Sequence, residues 1–190
     1  MKSKIGHQNV LYPMPVTVVG ALVDDKPNFI CIAHVGILNS ARPHLISLGI
    51  NRRHYTNRGI HANRSFSVNL PSLAQVVETD YVGLVSGADT NKADVFRVFY
   101  GELQTAPMIQ ESPLSMECKL YAVVDTPTHD VFIGEVVATY ADEGVLTEGK
   151  VDLDKVQPLL FDMSSRQYWS LGKPVAKCWE VGKQLVKIGR

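Results

Sequence analysis

The sequence has few cysteines and no long apolar run. Its three cysteines, Cys31, Cys118 and Cys178, are far apart and form no CxxC pair, which disfavours both a disulfide scaffold and a zinc knuckle. No stretch approaches the ~18 consecutive apolar residues of a membrane-spanning helix. The first residues, MKSKIGHQNVLYPMP, lack the apolar core of a signal peptide. We therefore expect a protein of the reducing cytoplasm that does not associate with a membrane.

An excess of charge of either sign is also missing. Nineteen basic residues are balanced by 19 acidic ones, so the formal net charge is zero. A dedicated binder of nucleic acid or of an anionic membrane is usually strongly basic, and we expect neither partner. Hydrophobic residues at 45% and charged residues at 20% are typical of a globular protein. The 190 residues are expected to form one domain, 1–190.

Several familiar catalytic motifs are absent. No GxGxxG follows a predicted strand, which disfavours a Rossmann dinucleotide site. The stretch SGADTNK ends in Lys92 but lacks the spaced glycines and the following Ser or Thr of a P-loop. There is no HExxH, no GxSxG and no cluster of His and Cys with metal-ligand spacing. A hydrolase or a metalloenzyme would need residues that only the fold could bring together.

Acidic residues are missing from one long stretch. Between Lys26 and Val77 there is no Asp or Glu, whereas six basic residues lie there. Such a local excess of positive charge is expected where a protein holds a compact anion such as a phosphate group. The competing explanation is chance, because buried strands contain few charged residues of either sign.

Runs of β-branched residues and turn signals predict an antiparallel sheet. The predicted strands are 15–23, 28–34, 44–50 and 66–70, followed by a hairpin of 116–124 and 131–138. Helices are predicted at 53–62 and, with Ser72 as the cap, at 73–85, and helical turns near 93–99 and 153–157. Short strands at close spacing with few helices favour an antiparallel β-barrel or an α+β fold over a doubly wound sheet.

The segment from Ser47 to Ile60 gathers groups that bind phosphate. It runs from a predicted strand into a predicted helix start and contains Asn51, Thr56 and two adjacent arginines. The free N–H groups and the dipole of a helix N-terminus favour negative charge, and an arginine adds a charge-assisted hydrogen bond. In the alternative interpretation Thr56 simply starts a helix and the arginines are solvated. The residues alone leave both interpretations open.

The order of these segments resembles a known family. The run from Tyr12 to Pro71, with VTVVGALVDDKPNFICIAHVGIL and LISLGINRRHYTNRG, is followed by VSGADTNKADVF and the hairpin. Together they resemble the flavin reductase-like family of FMN-binding split barrels, and within it the flavoredoxin group, from Tyr12 to about Trp179. The resemblance implies a mainly β, or α+β, fold: a six-stranded antiparallel split barrel with flanking helices. It also implies a homodimer with one FMN held non-covalently near the subunit interface.

The resemblance further implies which residues contact FMN. The strand that begins at Asn28, together with Pro43, would border the flavin ring and the ribityl chain. The segment 51–56 would hold the phosphate, and Lys92 would reach the phosphate or the ring from the side. The full set of expected contacts is Asn28, Ala33, His34, Val35, Leu48, Asn51, Arg53, His54, Tyr55, Thr56, Lys92 and His129. No metal site and no catalytic side chain is expected, because FMN carries the redox chemistry.

Two histidines have alternative interpretations. His34 stands where members of the flavoredoxin group often have tryptophan, so its contact with the ring would be polar and the flavin potential would differ. Without the resemblance, His34 would be interpreted as a buried, hydrogen-bonded histidine. His129 would either contact FMN, from the same or the partner subunit, or be an exposed turn residue.

The implied function is that of an NAD(P)H-dependent flavin oxidoreductase, with FMN as a prosthetic group or an exchangeable substrate. The alternative is a flavin electron carrier that relays electrons between redox protein partners and does not itself oxidise NAD(P)H. A third possibility, nucleic-acid binding, is disfavoured. Only Tyr55 and Phe66 lie among the arginines of the basic stretch, too few aromatic residues to stack successive bases.

Overall fold

A computed structural model describes residues 1–186 of the 190-residue chain. Its main element is an antiparallel sheet of seven strands. These strands are β1 Thr17–Val23, β2 Lys26–Ile32, β3 Val35–Asn39, β4 Leu45–Asn51, β5 Ser65–Leu70, β6 Leu114–Asp125 and β7 His129–Ala141. Their spatial order is β2-β1-β5-β6-β7-β4-β3. The two end strands, β2 and β3, do not pair with each other, so the sheet curves without closing.

Helices and short strand pairs flank this sheet. The α-helices are α1 Thr56–Asn63, α2 Val76–Leu84, α3 Leu153–Val156 and α4 Lys183–Val186, and 3-10 turns occupy Leu73–Gln75, Lys92–Val95 and Glu143–Val145. The short strands are Met14–Pro15, Val98–Phe99, Met108–Ile109, Leu146–Thr147, Lys150–Val151, Leu160–Asp162 and Gln167–Trp169. Among the described residues, no helix is long and apolar enough to cross a bilayer.

Local sequence explains how the strands begin and turn. Asp24 and Asp25 both have positive φ values, 50° and 62°, which is the conformation of a two-residue hairpin turn whose twist matches the flanking strands. Along β4, buried and partly exposed residues alternate, with Ile46, Leu48 and Ile50 pointing into the core. This period of two is expected of a strand with one buried face.

The main core lies inside the curved sheet. Phe66 on β5 and Phe132 on β7 are fully buried there, together with Leu48 and Ile60. Gly134 lies in van der Waals contact with the Phe66 ring, and a Cβ at this position would overlap the ring. Because interiors are close-packed, glycine is the residue that allows β7 to approach β5 this closely.

The fold class is as expected, mainly antiparallel β with a few helices, and three details differ. The sheet has seven strands and not six, because the short edge strand Val35–Asn39, with two exposed apolar residues, lacks the alternation that marks a half-buried strand. The helix expected at 73–85 divides into the 3-10 turn Leu73–Gln75 and α2. The helix expected from residue 53 begins at Thr56, because residues 52–55 form turns.

Candidate functional site

A cavity of about 540 Å³ lies where β2 and β4 end and β7 begins, between α2 and the short strands Leu160–Asp162 and Gln167–Trp169. Five of the expected cofactor contacts line it: Ala33, His34, Asn51, His54 and His129. We call it the histidine cavity. Strand pairing brings these residues together, since His129 is opposite Asn51 and the Gly49 N–H donates to the His34 carbonyl over 2.8 Å. Its volume lies within the ~300–1,000 Å³ of ligand pockets.

The three histidines of this cavity influence one another. The His34 and His129 rings lie 5.8 Å apart, centroid to centroid. Partial burial lowers the pKa of His34, and His129 lowers it further. Partial burial also lowers the pKa of His54, with smaller contributions from Lys92 and His129. Because the ordinary histidine pKa is ~6.5, His34 and His54 are neutral at neutral pH and can donate or accept hydrogen bonds.

The opposite wall contains groups that sequence reasoning missed. The Tyr168 hydroxyl donates to an Asp80 carboxylate oxygen over 2.9 Å, which fastens the short strand Gln167–Trp169 to α2. Burial raises the pKa of the Cys31 thiol to about 11, so this thiol stays protonated and is a poor nucleophile. Arg166 also lines the cavity. No local pattern pairs residues 88 positions apart, so only the fold could reveal the contact between Asp80 and Tyr168.

A second, polar hollow of about 330 Å³ lies beside the start of α1. It is lined by Asn28 and Tyr55 and by residues 87–91, and we call it the polar hollow. The Asn28 side-chain amide donates to the Thr56 hydroxyl oxygen over 2.7 Å, and both residues are buried. The Thr56 hydroxyl proton meets no acceptor within the described part of the chain. A buried donor without an acceptor is rare, and here it lies at a helix N-terminus, where N–H groups lack intrahelical partners.

The loop between β4 and α1 is held by its own side chains. The Asn51 side-chain oxygen accepts from the Arg53 N–H over 3.1 Å, and the Asn57 amide donates to the Asn51 carbonyl over 3.2 Å. The Asn57 side-chain oxygen is buried with no hydrogen-bond partner. Asn57 therefore has an unpaired buried acceptor, and the hydroxyl of the preceding Thr56 is paired only as an acceptor; a polar ligand would complete the bonding of both groups.

The structure corrects the expectation that the whole basic stretch is an excess of free positive charge. Arg52 binds Asp125 over 2.8 Å and Asp130 over 2.9 Å, and both acids come from the β6–β7 hairpin. Arg58 lies 3.7 Å from Asp24. Arg53, by contrast, forms no ion pair with any described residue and is exposed. Of the two adjacent arginines, only Arg53 is thus free to bind an anion.

Asp130 predicts a pH dependence of stability. Burial disfavours its ionised form, but hydrogen bonds from His61 and Arg52 outweigh burial and lower the pKa of Asp130. Its stabilising contribution is therefore present above about pH 4, the unfolded value, and is lost as the pH falls through the lower folded value. We expect Asp130→Asn to destabilise the protein at pH 7 by ~1–3 kcal/mol. When the free energy of unfolding is measured in urea from pH 7 to pH 3, the difference between this variant and the wild type should become smaller as the pH falls.

Asp125→Asn is the matched control, because Asp125 binds the same arginine but its side chain is 86% exposed. Exposed ion pairs contribute little to stability. This variant should therefore lose much less stability, and its difference from the wild type in free energy of unfolding should be nearly independent of pH. An Asp130→Asn difference that stays constant down to pH 3 would contradict the assignment.

Lys92 is buried and lines neither the histidine cavity nor the polar hollow. It is 4% exposed, and its Nζ donates to the Val82 carbonyl near the end of α2 over 2.7 Å. Burial lowers its pKa to about 8, an effect that the nearby Cys31 partly opposes. An ammonium group has three donors, so two remain for a ligand. This charge also contributes to lowering the pKa of His54.

Five expected contacts line neither the histidine cavity nor the polar hollow: Val35, Leu48, Arg53, Thr56 and Lys92. The Leu48 side chain is fully buried in the main core. Val35 lines a separate apolar groove. His129 is half-buried at the start of β7, with its Nδ1 2.8 Å from the Thr128 hydroxyl. It lines the histidine cavity and is not an isolated turn residue. Which of these side chains touch a cofactor stays a prediction.

Known proteins share this fold. The family model described as "Flavin reductase like domain" matches residues 9–170. The X-ray structure of flavoredoxin from Methanosarcina acetivorans is 44% identical, with a TM-score of 0.94 over 97% of this chain and 99% of that one. Flavoredoxin of Desulfovibrio vulgaris (Miyazaki F) is 33% identical, with a TM-score of 0.89 over 96% and 100%. An FMN-binding protein from Thermus thermophilus, 23% identical with a TM-score of 0.79 over 93% and 99%, shares the split-barrel fold.

Proposed function

Because the chain belongs to the flavin reductase-like domain family, we propose that it is an FMN-binding oxidoreductase that takes electrons from NAD(P)H. The observation that supports this most directly is the histidine cavity beside the polar hollow. The first combines apolar walls with three histidines, which can contact the faces and edges of a flavin ring, and the second is a polar space lined by Asn28 and Tyr55 next to the start of α1. FMN, when bound, supplies the hydride and electron chemistry.

The residues present fit this cofactor. Thr56 has a buried hydroxyl proton without an acceptor, and the adjacent Asn57 has a buried oxygen without a donor. A phosphate and the hydroxyl groups of a ribityl chain offer the complementary acceptors and donors. Arg53 supplies a positive charge that no described acid neutralises. These groups would hold the anionic end of FMN, and Asn28 would position the Thr56 hydroxyl.

The groups around the histidine cavity would orient the ring and stay out of the electron transfer. His34 and His54 have lowered pKa values and are neutral at neutral pH, so they can hydrogen-bond to ring edges without adding charge. The Cys31 thiol, with its raised pKa, stays protonated. The bond between Tyr168 and Asp80 keeps the outer wall in place. No side chain of this wall needs to exchange a proton in a hydride step.

Lys92 is the residue that would tune the flavin potential. A positive charge beside the ring stabilises the reduced, anionic flavin. We expect Lys92→Met to lower the midpoint potential of the bound FMN by about 30 mV, which is ~1.4 kcal/mol for two electrons. Since its pKa is about 8, the ammonium loses its proton above that pH. The difference between the two proteins should therefore shrink above about pH 8 in a spectroelectrochemical titration.

Lys26→Met is the control for this measurement, because Lys26 borders the polar hollow and is exposed. It should leave the potential unchanged. Equal potentials for wild type and Lys92→Met at pH 7 would place the ammonium away from the ring.

The second candidate function is an electron carrier that does not oxidise NAD(P)H itself. The sequence identities of 44% and 33% to two flavoredoxins favour this candidate. Oxidation of NADH and NADPH by the FMN-loaded protein, followed at 340 nm with oxygen or ferricyanide as acceptor, distinguishes the two. Turnover with either nucleotide supports the oxidoreductase. Full reduction by dithionite without turnover by either nucleotide supports the carrier.

The homodimer and the cytoplasmic location stay predictions. All three cysteines are free thiols: Cys118 is buried, Cys31 half-buried and Cys178 exposed. This is the state expected in a reducing compartment. A purified protein that shows no flavin absorption and binds no added FMN would contradict both candidate functions.

A further inference from the structure

The described end of the chain is an exposed segment. Residues 170–186, which we call the C-terminal arm, are all exposed. Their backbone hydrogen bonds are local and join only residues of the arm. Its large apolar side chains and their exposed fractions are Leu171 42%, Val175 98%, Trp179 90%, Val181 51%, Leu185 65% and Val186 72%. A run of exposed apolar residues on a folded protein marks an interaction site.

The C-terminal arm is nevertheless expected to be ordered. Termini without contacts are usually poorly ordered. Yet the crystal structure of the flavoredoxin from Methanosarcina acetivorans matches 97% of this chain with a TM-score of 0.94. The unmatched 3% is about six residues, fewer than the arm contains, so most of the arm has a counterpart in a crystallised chain. An ordered segment whose large apolar side chains are exposed in its own protomer is expected to contact another molecule.

The same protomer also has an exposed apolar surface. An apolar groove of about 700 Å³ opens at the mouth of the curved sheet, between β3–β4 on one side and β5–β7 on the other. Its walls are mainly side chains such as Val35, Ile46, Leu70 and Met116. At its rim Ile37 is 78% exposed and Leu38 54% exposed. We call this surface the apolar groove; none of the described arm residues lines it.

We propose that the C-terminal arm of one protomer docks in the apolar groove of a second copy, with Trp179 as its anchor. Each chain carries one arm and one groove, so a two-fold exchange covers both arms and both grooves at once, which is the closed symmetry of most dimers. Buried tryptophans dominate such interfaces. The arm is mainly basic, with three lysines and Glu180. The hollow that shares His44 and Val136 with the groove is lined by one acid, Glu135, and one base, Arg42, so the apolar side chains and not charge carry the match.

A disulfide between the arm and the groove tests the contact directly. Cys178 is exposed beside Trp179, and Ile37→Cys places a thiol on the groove rim. On mild oxidation, Ile37→Cys should form a covalent dimer on a non-reducing gel, and the added substitution Cys178→Ser should abolish it. Val77→Cys is the control, since Val77 is 72% exposed on α2 and outside the groove. A disulfide within one chain, or none, would overturn the proposal.

Sedimentation equilibrium supplies the second measurement. Trp179→Ser should raise the dimer dissociation constant at least tenfold, and Ile37→Asp should do the same. Trp169→Ser, which alters the tryptophan just outside the arm, should leave it within twofold. A weaker dimer for Ile37→Asp with an unchanged one for Trp179→Ser would mean that another part of the second copy covers the groove, and the arm proposal would be wrong. Neither measurement needs FMN, so the outcome is independent of the proposed redox function.

Discussion

Replacement of Glu117 by leucine is expected to lower the free energy of unfolding by about 3–5 kcal/mol. Glu117 is fully buried on β6. Its carboxylate accepts hydrogen bonds from the Glu102 N–H at 2.9 Å, the Leu103 N–H at 2.7 Å and the Tyr140 hydroxyl at 2.7 Å. Leucine would leave all three donors without an acceptor, and each unsatisfied buried group costs ~1–3 kcal/mol. Such costs are not fully additive, and the sum is expected near the ~3–5 kcal/mol of a broken buried pair.

Two further variants separate the contribution of the Glu117 charge from that of its side-chain shape. Glu117→Gln keeps one acceptor oxygen and should lose less stability than Glu117→Leu. Tyr140→Phe removes a single donor from the carboxylate and should cost ~1 kcal/mol, the usual net value of one hydrogen bond. Urea unfolding followed by far-UV circular dichroism gives all three free energies. If Glu117→Leu were as stable as the wild type, the carboxylate would not be what holds residues 101–103 against the sheet.

The second large effect is expected on FMN affinity. Thr56→Ala and Arg53→Ala should each weaken FMN binding by ~1–3 kcal/mol, the loss of a hydrogen bond to a charged group. This corresponds to a rise of the dissociation constant by roughly 5- to 150-fold. Thr56 is buried and already oriented by Asn28, whereas Arg53 is exposed. We therefore expect the larger effect for Thr56→Ala, measured by quenching of flavin fluorescence.

Matched controls exist for both positions. Arg97 is also exposed but is paired with Glu111 over 2.8 Å, and it lines neither the histidine cavity nor the polar hollow. Arg97→Ala should leave FMN affinity unchanged. Thr56→Ser retains the hydroxyl group and should restore most of the affinity that Thr56→Ala loses. Unchanged titrations for both alanine variants would remove the phosphate-site assignment at the start of α1.

Local sequence predicted most of the strands because the signals for them are local. The β-branched run before Asp24 and the alternation in β4 each depend on neighbouring residues, and both strands form within one or two residues of the expected bounds. The hairpin of 116–124 and 131–138 is longer at both ends, Leu114–Asp125 and His129–Ala141. Its ends are extended by cross-strand pairing, which no single segment encodes.

The distribution of charge along the sequence was the least reliable predictor of the structure. The absence of acids between Lys26 and Val77, with six basic residues there, indicated a local excess of positive charge suited to a compact anion. In the fold, Asp125 and Asp130 reach Arg52 from a hairpin more than 70 residues away, and Asp24 reaches Arg58. Pairing of distant charges depends on which strands are neighbours, so a count along the chain overstated the free charge.

The sequence by itself determined the fold class and the family, because hydrophobic periodicity, turn residues and the order of segments can all be read along the chain. It also predicted which groups would bind FMN. Only the tertiary structure decided which of these groups meet. It brought Asn28 into a hydrogen bond with Thr56 and placed His34 beside His129. It also brought Tyr168 into a hydrogen bond with Asp80 in the wall of the histidine cavity. The physical reason is that a site depends on distances between residues far apart in sequence, and the register of the sheet sets those distances.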